Sequence, residues 1–237
     1  MVVRLTRGAR HGERMTTALP VVSAAAVEAA AARLAGVVRT TGLQRNERLS
    51  ERTGAQVWLK REDLQPVRSY KLRGAYNLIA QLDAGQRAAG VICASAGNHG
   101  QGVAFACRRL GIRARIFVPS TTPRQKRDRM LALGGDAVEL VVTGDTYDEA
   151  AGAAAVEATV TGATLVPAFD DPRTLVGQGT VAPEIVAQLG RAPDLLVVPV
   201  GGGGMLAGCL TWMAEHAPST RVVGAEPAGA ACLAAAL

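Results

Sequence analysis

Short apolar runs rich in valine alternate with longer runs rich in alanine along most of the chain. The valine-rich runs have the length and composition of buried strands, and the alanine-rich runs carry the start and stop signals of helices. Buried strands that alternate with helices predict an α/β fold with a mostly parallel, doubly wound sheet. The predicted strands are Val91–Ala94, Ala114–Val118, Ala137–Val142, Leu195–Val200 and Arg221–Ala225.

Capping residues and glycines predict where the helices begin and end. Thr146 and Glu149 form a capping box, and Thr122-Pro123 opens a helix with proline at its first position. The predicted helices run from Ser23 to near Gly36, from Lys71 towards Gly85, from Asn98 to Gly111, from Pro123 to Gly134, from Thr146 to near Gly162, from Asp171 onwards, over Gly204–His216, and from Ala230 to Leu237 without a cap.

Composition and charge narrow the possible functions. The chain has 237 residues, of which 49% are hydrophobic and only 3% aromatic, which is too few aromatic rings for a nucleic-acid stacking surface. The net charge is +6, and residues 1–14 contribute half of it through four arginines and one glutamate. Only Lys60, Lys71 and Lys126 are lysines, so a polybasic patch is not expected. We predict neither a nucleic-acid partner nor a membrane partner.

Cysteine spacing and the absence of a secretion signal favour a cytoplasmic protein. Cys93, Cys107, Cys209 and Cys232 form no C-x-x-C pair, which indicates reduced thiols. The uncharged stretch 195–214 approaches the length of a membrane span, but it contains a proline and four consecutive glycines. We therefore predict that this stretch is a strand, a loop and a helix.

A tetraglycine loop offers a site for an anion. Gly201, Gly202, Gly203 and Gly204 follow an apolar strand and precede a helix, so their N–H groups can face a phosphate. The same loop fits a variant of the dinucleotide fingerprint, with Glu226 at the end of the next strand where a ribose carboxylate would lie. An oxidoreductase that binds a dinucleotide at this loop therefore remains one alternative. The other is a tight packing turn that binds no ligand.

Lys71 is the candidate nucleophile. It stands at a predicted helix start, where the positive end of the helix dipole disfavours the charged amine. A less protonated amine can form an imine and later act as a base. An ordinary surface lysine is the alternative, although the chain has few lysines.

A third loop follows the strand that ends at Ala94. It consists of Ser95, Ala96, Gly97, Asn98 and His99, and its small residues and helix N–H groups suit a carboxylate or a phosphate. Asn98 can donate a side-chain hydrogen bond or simply cap the helix. His99 could be a general base, but a supporting role is preferred because no partner acid is evident. No metal site is predicted, since the histidines form no cluster.

Five motifs in this order resemble the fold-type II pyridoxal-phosphate enzymes, and within them the threonine dehydratases. The motifs are Lys60–Asp63, Ser69–Ala75, Ser95–His99, Gly177–Thr180 and Gly201–Met205, and the resemblance covers residues 34–237. It implies two doubly wound parallel-sheet domains: a small domain at 65–162, and a larger one at 19–64 and 163–237 that is incomplete. Residues 1–18 are expected to be a disordered basic prefix or a misassigned start.

The resemblance also implies the roles of individual residues. Lys71 resembles the lysine that holds pyridoxal 5'-phosphate covalently, Asn98 the residue that bonds the 3'-oxygen of its ring, and Gly201–Met205 the phosphate-binding loop. Tyr70 stands where many relatives have phenylalanine near the cofactor. Ser95–His99 would receive the substrate carboxylate.

The implied reaction is the deamination of L-threonine, and of L-serine, to the 2-oxo acid and ammonia. The residues that flank Ser69 resemble those of biosynthetic members, which implies the first step of isoleucine biosynthesis. The expected partner is a small amino-acid substrate, and the full-length form is expected to be a homo-oligomer. Serine racemase or another fold-type II lyase, and an inactive fragment that acts as a binding module, stay open.

Overall fold

Strands and helices alternate as the sequence predicts in the computed structural model, which describes residues 2–3 and 22–236. The strands are β1 (Val2–Val3), β2 (Leu43–Arg45), β3 (Trp58–Lys60), β4 (Val91–Ala94), β5 (Ala114–Val118), β6 (Val138–Val142), β7 (Thr164–Leu165), β8 (Leu195–Pro199) and β9 (Arg221–Ala225). The helices are α1 (Ala24–Leu34), α2 (Glu47–Thr53), α3 (Lys71–Ile79), α4 (Ala84–Ala89), α5 (Asn98–Leu110), α6 (Arg124–Gly134), α7 (Tyr147–Thr161), α8 (Pro172–Gly179), α9 (Val181–Leu189), α10 (Gly204–His216) and α11 (Cys232–Ala236).

Four parallel strands form one sheet in the order β6-β5-β4-β7. Helices cover both of its faces. On one face, Cys93 and Ile116 pack with buried residues of α3 and α5. On the other face, Ile92 and Phe117 pack against the alanines of α7. This arrangement confirms the doubly wound, parallel α/β fold, since strands buried on both faces need apolar side chains on both.

A second sheet has the order β1-β9-β8, in which β8 and β9 are parallel and β1 is antiparallel to β9. One side packs on a helical cluster of α1, α8, α9 and α10, in which Val27, Met213 and Ala182 are fully or almost fully buried. Leu195 and Val197 point to the opposite side of β8 and stay half exposed. The strand, loop and helix predicted over 195–214 are confirmed.

Several predicted helix boundaries are wrong for identifiable reasons. The helix from Lys71 ends at Ile79, because Asp83 forms a capping box with Gln86 and starts α4 as a separate helix. Gly97, not Asn98, is the N-cap of α5, and Pro123 is the N-cap of α6 instead of its first residue.

The chain's last helix does have a cap, contrary to the sequence-based expectation. The Glu226 carboxylate accepts hydrogen bonds from the N–H groups of Leu233 and Ala234 at 3.1 and 3.0 Å. A carboxylate at a helix N-terminus is stabilising because it satisfies free N–H groups and faces the positive end of the helix dipole.

Two structural observations bear on the predicted domain boundaries. The boundary between 162 and 163 falls just before β7, which pairs with β4 and completes the four-stranded sheet. Of the predicted prefix 1–18, only Val2 and Val3 are described, and they pair with Ala225 and Gly224. The rest of the prefix lies outside the described residues. Within the described ranges, no helix is long and apolar enough to cross a membrane.

Candidate active site

Lys71 is the first residue of α3, as the sequence predicts, and its amine is partly buried. Nζ donates a hydrogen bond of 2.9 Å to the Ala168 carbonyl oxygen. Burial lowers the pKa of Lys71 below its usual range, because the charged ammonium loses hydration there. The predicted direction of the shift is confirmed, and burial is its cause. A buried amine with a lowered pKa is suited to attack a carbonyl carbon.

The chain makes a tight turn immediately before Lys71. Arg68 has a φ of 57°, in the left-handed region that is unfavourable for a residue with a side chain. Its N–H donates to the Gln65 carbonyl oxygen at 2.8 Å, which holds the turn. The Ser69 hydroxyl is buried without a hydrogen-bond partner among the described residues. The Tyr70 ring centroid lies 5.4 Å from the Lys71 amine.

The tetraglycine loop is open where a phosphate cradle requires space. It connects the end of β8 to the start of α10, and a Cβ at Gly201 or Gly203 would meet no atom within 4 Å. Gly203 has a φ of 80°, which requires glycine. Among the described residues, the N–H groups from Gly201 to Gly204 have no acceptor. Free N–H groups at the start of a helix form an anion-binding site.

The loop 95–99 is held by hydrogen bonds to one of its own side chains, and two of its N–H groups stay free. The Ser95 hydroxyl accepts hydrogen bonds from the N–H groups of Gly97 and Gly100 at 3.2 and 2.9 Å. The N–H groups of Asn98 and His99 have no acceptor among the described residues, and the Asn98 side chain is exposed. These N–H groups are therefore available to an anion.

His99 is a buried, uncharged side chain. Its Nε2 lies 2.8 Å from the Val166 carbonyl oxygen, which assigns the proton to Nε2 and leaves Nδ1 without a partner among the described residues. Burial is the main reason why its pKa falls to about 4; the hydrogen bond to the Val166 carbonyl opposes this shift, and the charge of Lys71 adds to it. An imidazole with this pKa stays neutral at physiological pH, in agreement with the predicted supporting role.

The segment 166–169 contacts all three candidate loops, and no motif in the sequence indicates this role. Val166 accepts from His99, and Ala168 accepts from Lys71. Phe169 lies against the tetraglycine loop so closely that a Cβ at Gly202 would be 2.2 Å from its ring. The structure thus brings the amine, the loop 95–99 and the tetraglycine loop to one place. Two of the three contacts are made by backbone carbonyl groups, which no side-chain pattern reveals.

A buried ion-pair cluster supports α3 two residues after Lys71, and it too was missed. The Arg73 side chain is fully buried and donates to the carboxylates of Glu62 and Glu184 at 2.7–3.0 Å. Burial disfavours the charged guanidinium, but these hydrogen bonds outweigh it and raise the pKa of Arg73. Lys60 adds a contact of 2.6 Å to Glu184. The motifs around Lys60 and Thr180 were the available signal, since Thr180 accepts from Arg73 at 3.0 Å.

The dinucleotide-binding alternative loses support at this site. Glu226, the candidate ribose ligand of a dinucleotide site, is buried and engaged in capping α11. Over residues 2–3 and 22–236, no group of three His, Cys, Asp or Glu side chains could hold a metal ion. The arrangement places a partly buried lysine amine near a loop whose N–H groups are free, which suits a phosphorylated carbonyl compound.

Comparison with known proteins identifies a family whose cofactor is a compound of this class. The family described as pyridoxal-phosphate dependent enzyme matches residues 23–237. L-threonine dehydratase biosynthetic IlvA of Mycobacterium bovis is 59% identical over 216 residues, which cover 91% of this chain and 50% of that protein. The chain therefore spans about half the length of the curated relatives it matches.

Two solved structures are similar to this fold. The processed form of threonine deaminase isoform 2 from Solanum lycopersicum has a TM-score of 0.82 and 44% identity, covering 87% of this chain and 56% of that one. Maize serine racemase has a TM-score of 0.82 and 30% identity, covering 87% of this chain and 62% of that one.

Proposed function

The chain belongs to the family of pyridoxal-phosphate dependent enzymes, and on that premise we propose that it is part of an ammonia-lyase that deaminates L-threonine and L-serine. The products would be 2-oxobutanoate from threonine, pyruvate from serine, and ammonia from both. The proposal draws on the 59% identity to a biosynthetic threonine dehydratase. The contacts of segment 166–169, which join Lys71, His99 and the tetraglycine loop, are the single observation that carries it.

The residues present fit pyridoxal 5'-phosphate. Its aldehyde requires an amine that is partly uncharged, and burial lowers the pKa of Lys71. Its phosphate requires a cradle without side chains, and Gly201 and Gly203 leave that space open. We propose that Lys71 holds the aldehyde carbon, that Gly201–Met205 bind the phosphate, and that Asn98 and Tyr70 contact the ring.

The residues of this chain would then have distinct roles in the reaction. When bound, the cofactor supplies an electron-poor ring that stabilises negative charge at the substrate α-carbon. The N–H groups of the loop 95–99 orient the substrate carboxylate. The Lys71 amine takes the α-proton at Nζ, which its lowered pKa permits. The neutral His99 ring holds the loop through its bond to Val166. Loss of the β-hydroxyl as water, then addition of water at the α-carbon, releases the 2-oxo acid and ammonia.

A direct assay tests this proposal. The cofactor-loaded chain is incubated with L-threonine or L-serine, and the 2-oxo acid and ammonia that form are measured. We expect the two products in equal amounts. Lys71→Ala should abolish both products, because it removes the amine proposed to hold the cofactor and to take the α-proton. No turnover by a chain with bound cofactor would contradict the proposed activity and favour an inactive fragment that serves as a binding module.

Serine racemase is the second candidate, and the likeness to the maize enzyme favours it. The same incubation with L-serine distinguishes the two, since a racemase accumulates D-serine whereas a lyase accumulates pyruvate. Mainly D-serine would overturn the dehydratase assignment and leave the cofactor assignment intact.

We further propose a cytoplasmic setting, the first step of isoleucine biosynthesis and a homo-oligomeric full-length form. Three of the four cysteines are buried as free thiols, which supports a reducing compartment. The names of the biosynthetic relatives support the pathway. Sedimentation of the full-length protein tests the oligomer.

A further inference from the structure

One face of α6 is packed against the first turns of α5 and against the turn that precedes Lys71. The Arg129 guanidinium donates to the Gln101 side chain at 2.9 Å and to the Pro66 carbonyl oxygen at 3.0 Å. Met130 is fully buried, and its end lies within 3.1 Å of the position of a Cβ on Gly100. Residues 126, 129 and 130 share one face of a helix because they are spaced by three and four positions. Lys126 therefore faces the loop 95–99.

The Lys126 amine reaches that loop. The Lys126 side chain is exposed, and its Nζ lies 3.9 Å from the position that a Cβ on Gly97 would occupy; apart from Gly97 and its chain neighbours, no other atom lies within 4 Å of that position. The other two lysines have partners in the fold, since Lys60 pairs with Glu184 and Lys71 bonds to Ala168. Over the described part of the chain, no carboxylate lies within 4 Å of the Lys126 amine.

The position of Lys126 opposes the stability of its own helix. The first turn of α6 contains Arg124, Lys126 and Arg127 and no acidic residue. Cations at a helix N-terminus are destabilising because they face the positive end of the helix dipole. Arg124 offsets its own charge through a contact of 3.5 Å with Asp128, whereas Lys126 points at the loop. Such a cation is understandable if an anion binds beside it.

The loop offers that anion its own donors. The N–H groups of Asn98 and His99 have no acceptor among the described residues, and Gly97 leaves the backbone uncovered between them and Lys126. Two N–H groups and an ammonium on one side of an open loop suit a carboxylate, whose two oxygens accept several charge-assisted hydrogen bonds.

We propose that Lys126 binds the carboxylate of the amino-acid substrate and thereby contributes to substrate specificity. This inference rests on the proposed function, in which the loop 95–99 orients that carboxylate. Lys126 is distant in sequence from every motif that indicated the cofactor, and it acts on the substrate alone.

The test compares a substrate with its uncharged analogue. The cofactor-loaded chain is titrated with L-threonine and with L-threoninamide, and the absorbance change of the bound cofactor gives an apparent Kd for each. Lys126→Met should raise the Kd for L-threonine by about three- to tenfold, as expected for one charge-assisted contact, and leave that for L-threoninamide unchanged. Lys126→Arg should restore the affinity. Arg124→Met, which removes the same charge from the same turn, should leave both values unchanged.

Each remaining outcome contradicts the inference in a recognisable way. Equal weakening of both compounds would indicate a structural role for Lys126, and weaker cofactor loading in Lys126→Met would place its charge at the cofactor phosphate instead. An unchanged Kd for L-threonine would show that the amine does not bind the carboxylate. A wild-type chain that takes up no cofactor would overturn the proposed function, and this inference with it.

Discussion

Burial lowers the pKa of two basic side chains at the candidate site. The pKa of Lys71 and that of His99 are both lowered because burial disfavours their cationic forms. The identity of Lys71 as the candidate nucleophile was predictable, since a lysine at a helix start within this motif is distinctive. Burial was not predictable, because it depends on segments that are far away in sequence, such as Ala168 above the amine.

The lowered pKa of His99 predicts how the stability of the fold depends on pH. Its pKa is about 4 in the folded chain and 6.5 for a free side chain, so the unfolded state binds more protons between these values. The stability contributed by the neutral ring is therefore full above pH 6.5 and is lost as the pH falls towards 4. The loss is on the order of 3 kcal/mol.

Urea unfolding of the wild type and of His99→Gln at pH 4.5 and pH 6.5 measures this effect. Glutamine can still donate to the Val166 carbonyl oxygen but does not titrate. The wild type should lose more unfolding free energy than the variant on acidification, since the other titrating groups are common to both. Equal losses would show that His99 is protonated in the fold.

At the scale of elements, strands and caps were the predictable part. Val91–Ala94, Ala114–Val118 and Arg221–Ala225 form at the predicted residues, and Ser23 and Thr146 cap helices through local hydrogen bonds. The antiparallel pair of β2 and β3 was not predicted. Its three-residue strands are too short for a clear pattern and are held by distant partners, such as Thr41, whose carbonyl oxygen accepts from Lys60 at 2.8 Å.

Glycines let the central helices approach closely, which no periodicity reveals. A Cβ at Gly208 in α10 would be 2.2 Å from the Leu175 carbonyl oxygen and 2.8 Å from Gly179 of α8. A Cβ at Gly177 would lie 2.8 Å from the backbone of Arg73 and Gly74 in α3. The helices that carry Lys71 and follow the tetraglycine loop are thus both fixed to α8 by backbone contact.

We predict opposite effects of the same substitution at two helical glycines. Gly208→Ala should lower the free energy of unfolding by about 1–3 kcal/mol, because the backbone atoms it would meet cannot move aside. Gly152→Ala in the exposed face of α7 meets no atom within 4 Å and should raise it by about 0.5–1 kcal/mol. Chemical denaturation of both variants decides the point. A neutral Gly208→Ala would show that α8 and α10 are less tightly packed than described.

At the scale of the whole molecule, Arg73 joins three distant parts of the chain. Its acids come from the turn after β3 and from α9, and Arg73 itself lies on the helix that begins with Lys71. The motifs around Lys60 and Thr180 indicate this region, but they do not predict that Arg73 is buried between two acids, because charged residues are normally exposed. The predicted division into domains stays a prediction, and this cluster is a contact between its parts.

Removing the guanidinium should be far more harmful than removing a surface one. Arg73→Met should lower the free energy of unfolding by about 3–5 kcal/mol, because the partly buried carboxylates of Glu62 and Glu184 both lose the guanidinium that pairs with them. Arg115→Met removes the partner of Glu139 and Glu157 on the exposed side of the sheet and should cost less than about 1 kcal/mol. Thermal and urea unfolding compare the two, and similar losses would contradict the buried cluster as described.

We propose that Lys71 holds the cofactor, and a labelling experiment can identify the lysine that does so. The folded chain is mixed with pyridoxal 5'-phosphate, reduced with borohydride to fix any lysine-bound cofactor, and mapped by mass spectrometry. The chain has only three lysines, so the labelled peptide identifies the lysine that was modified. We predict a label on Lys71, an absorbance band before reduction, and the loss of both in Lys71→Ala. A label on Lys60 or Lys126 alone, or none on a folded chain, would contradict the account.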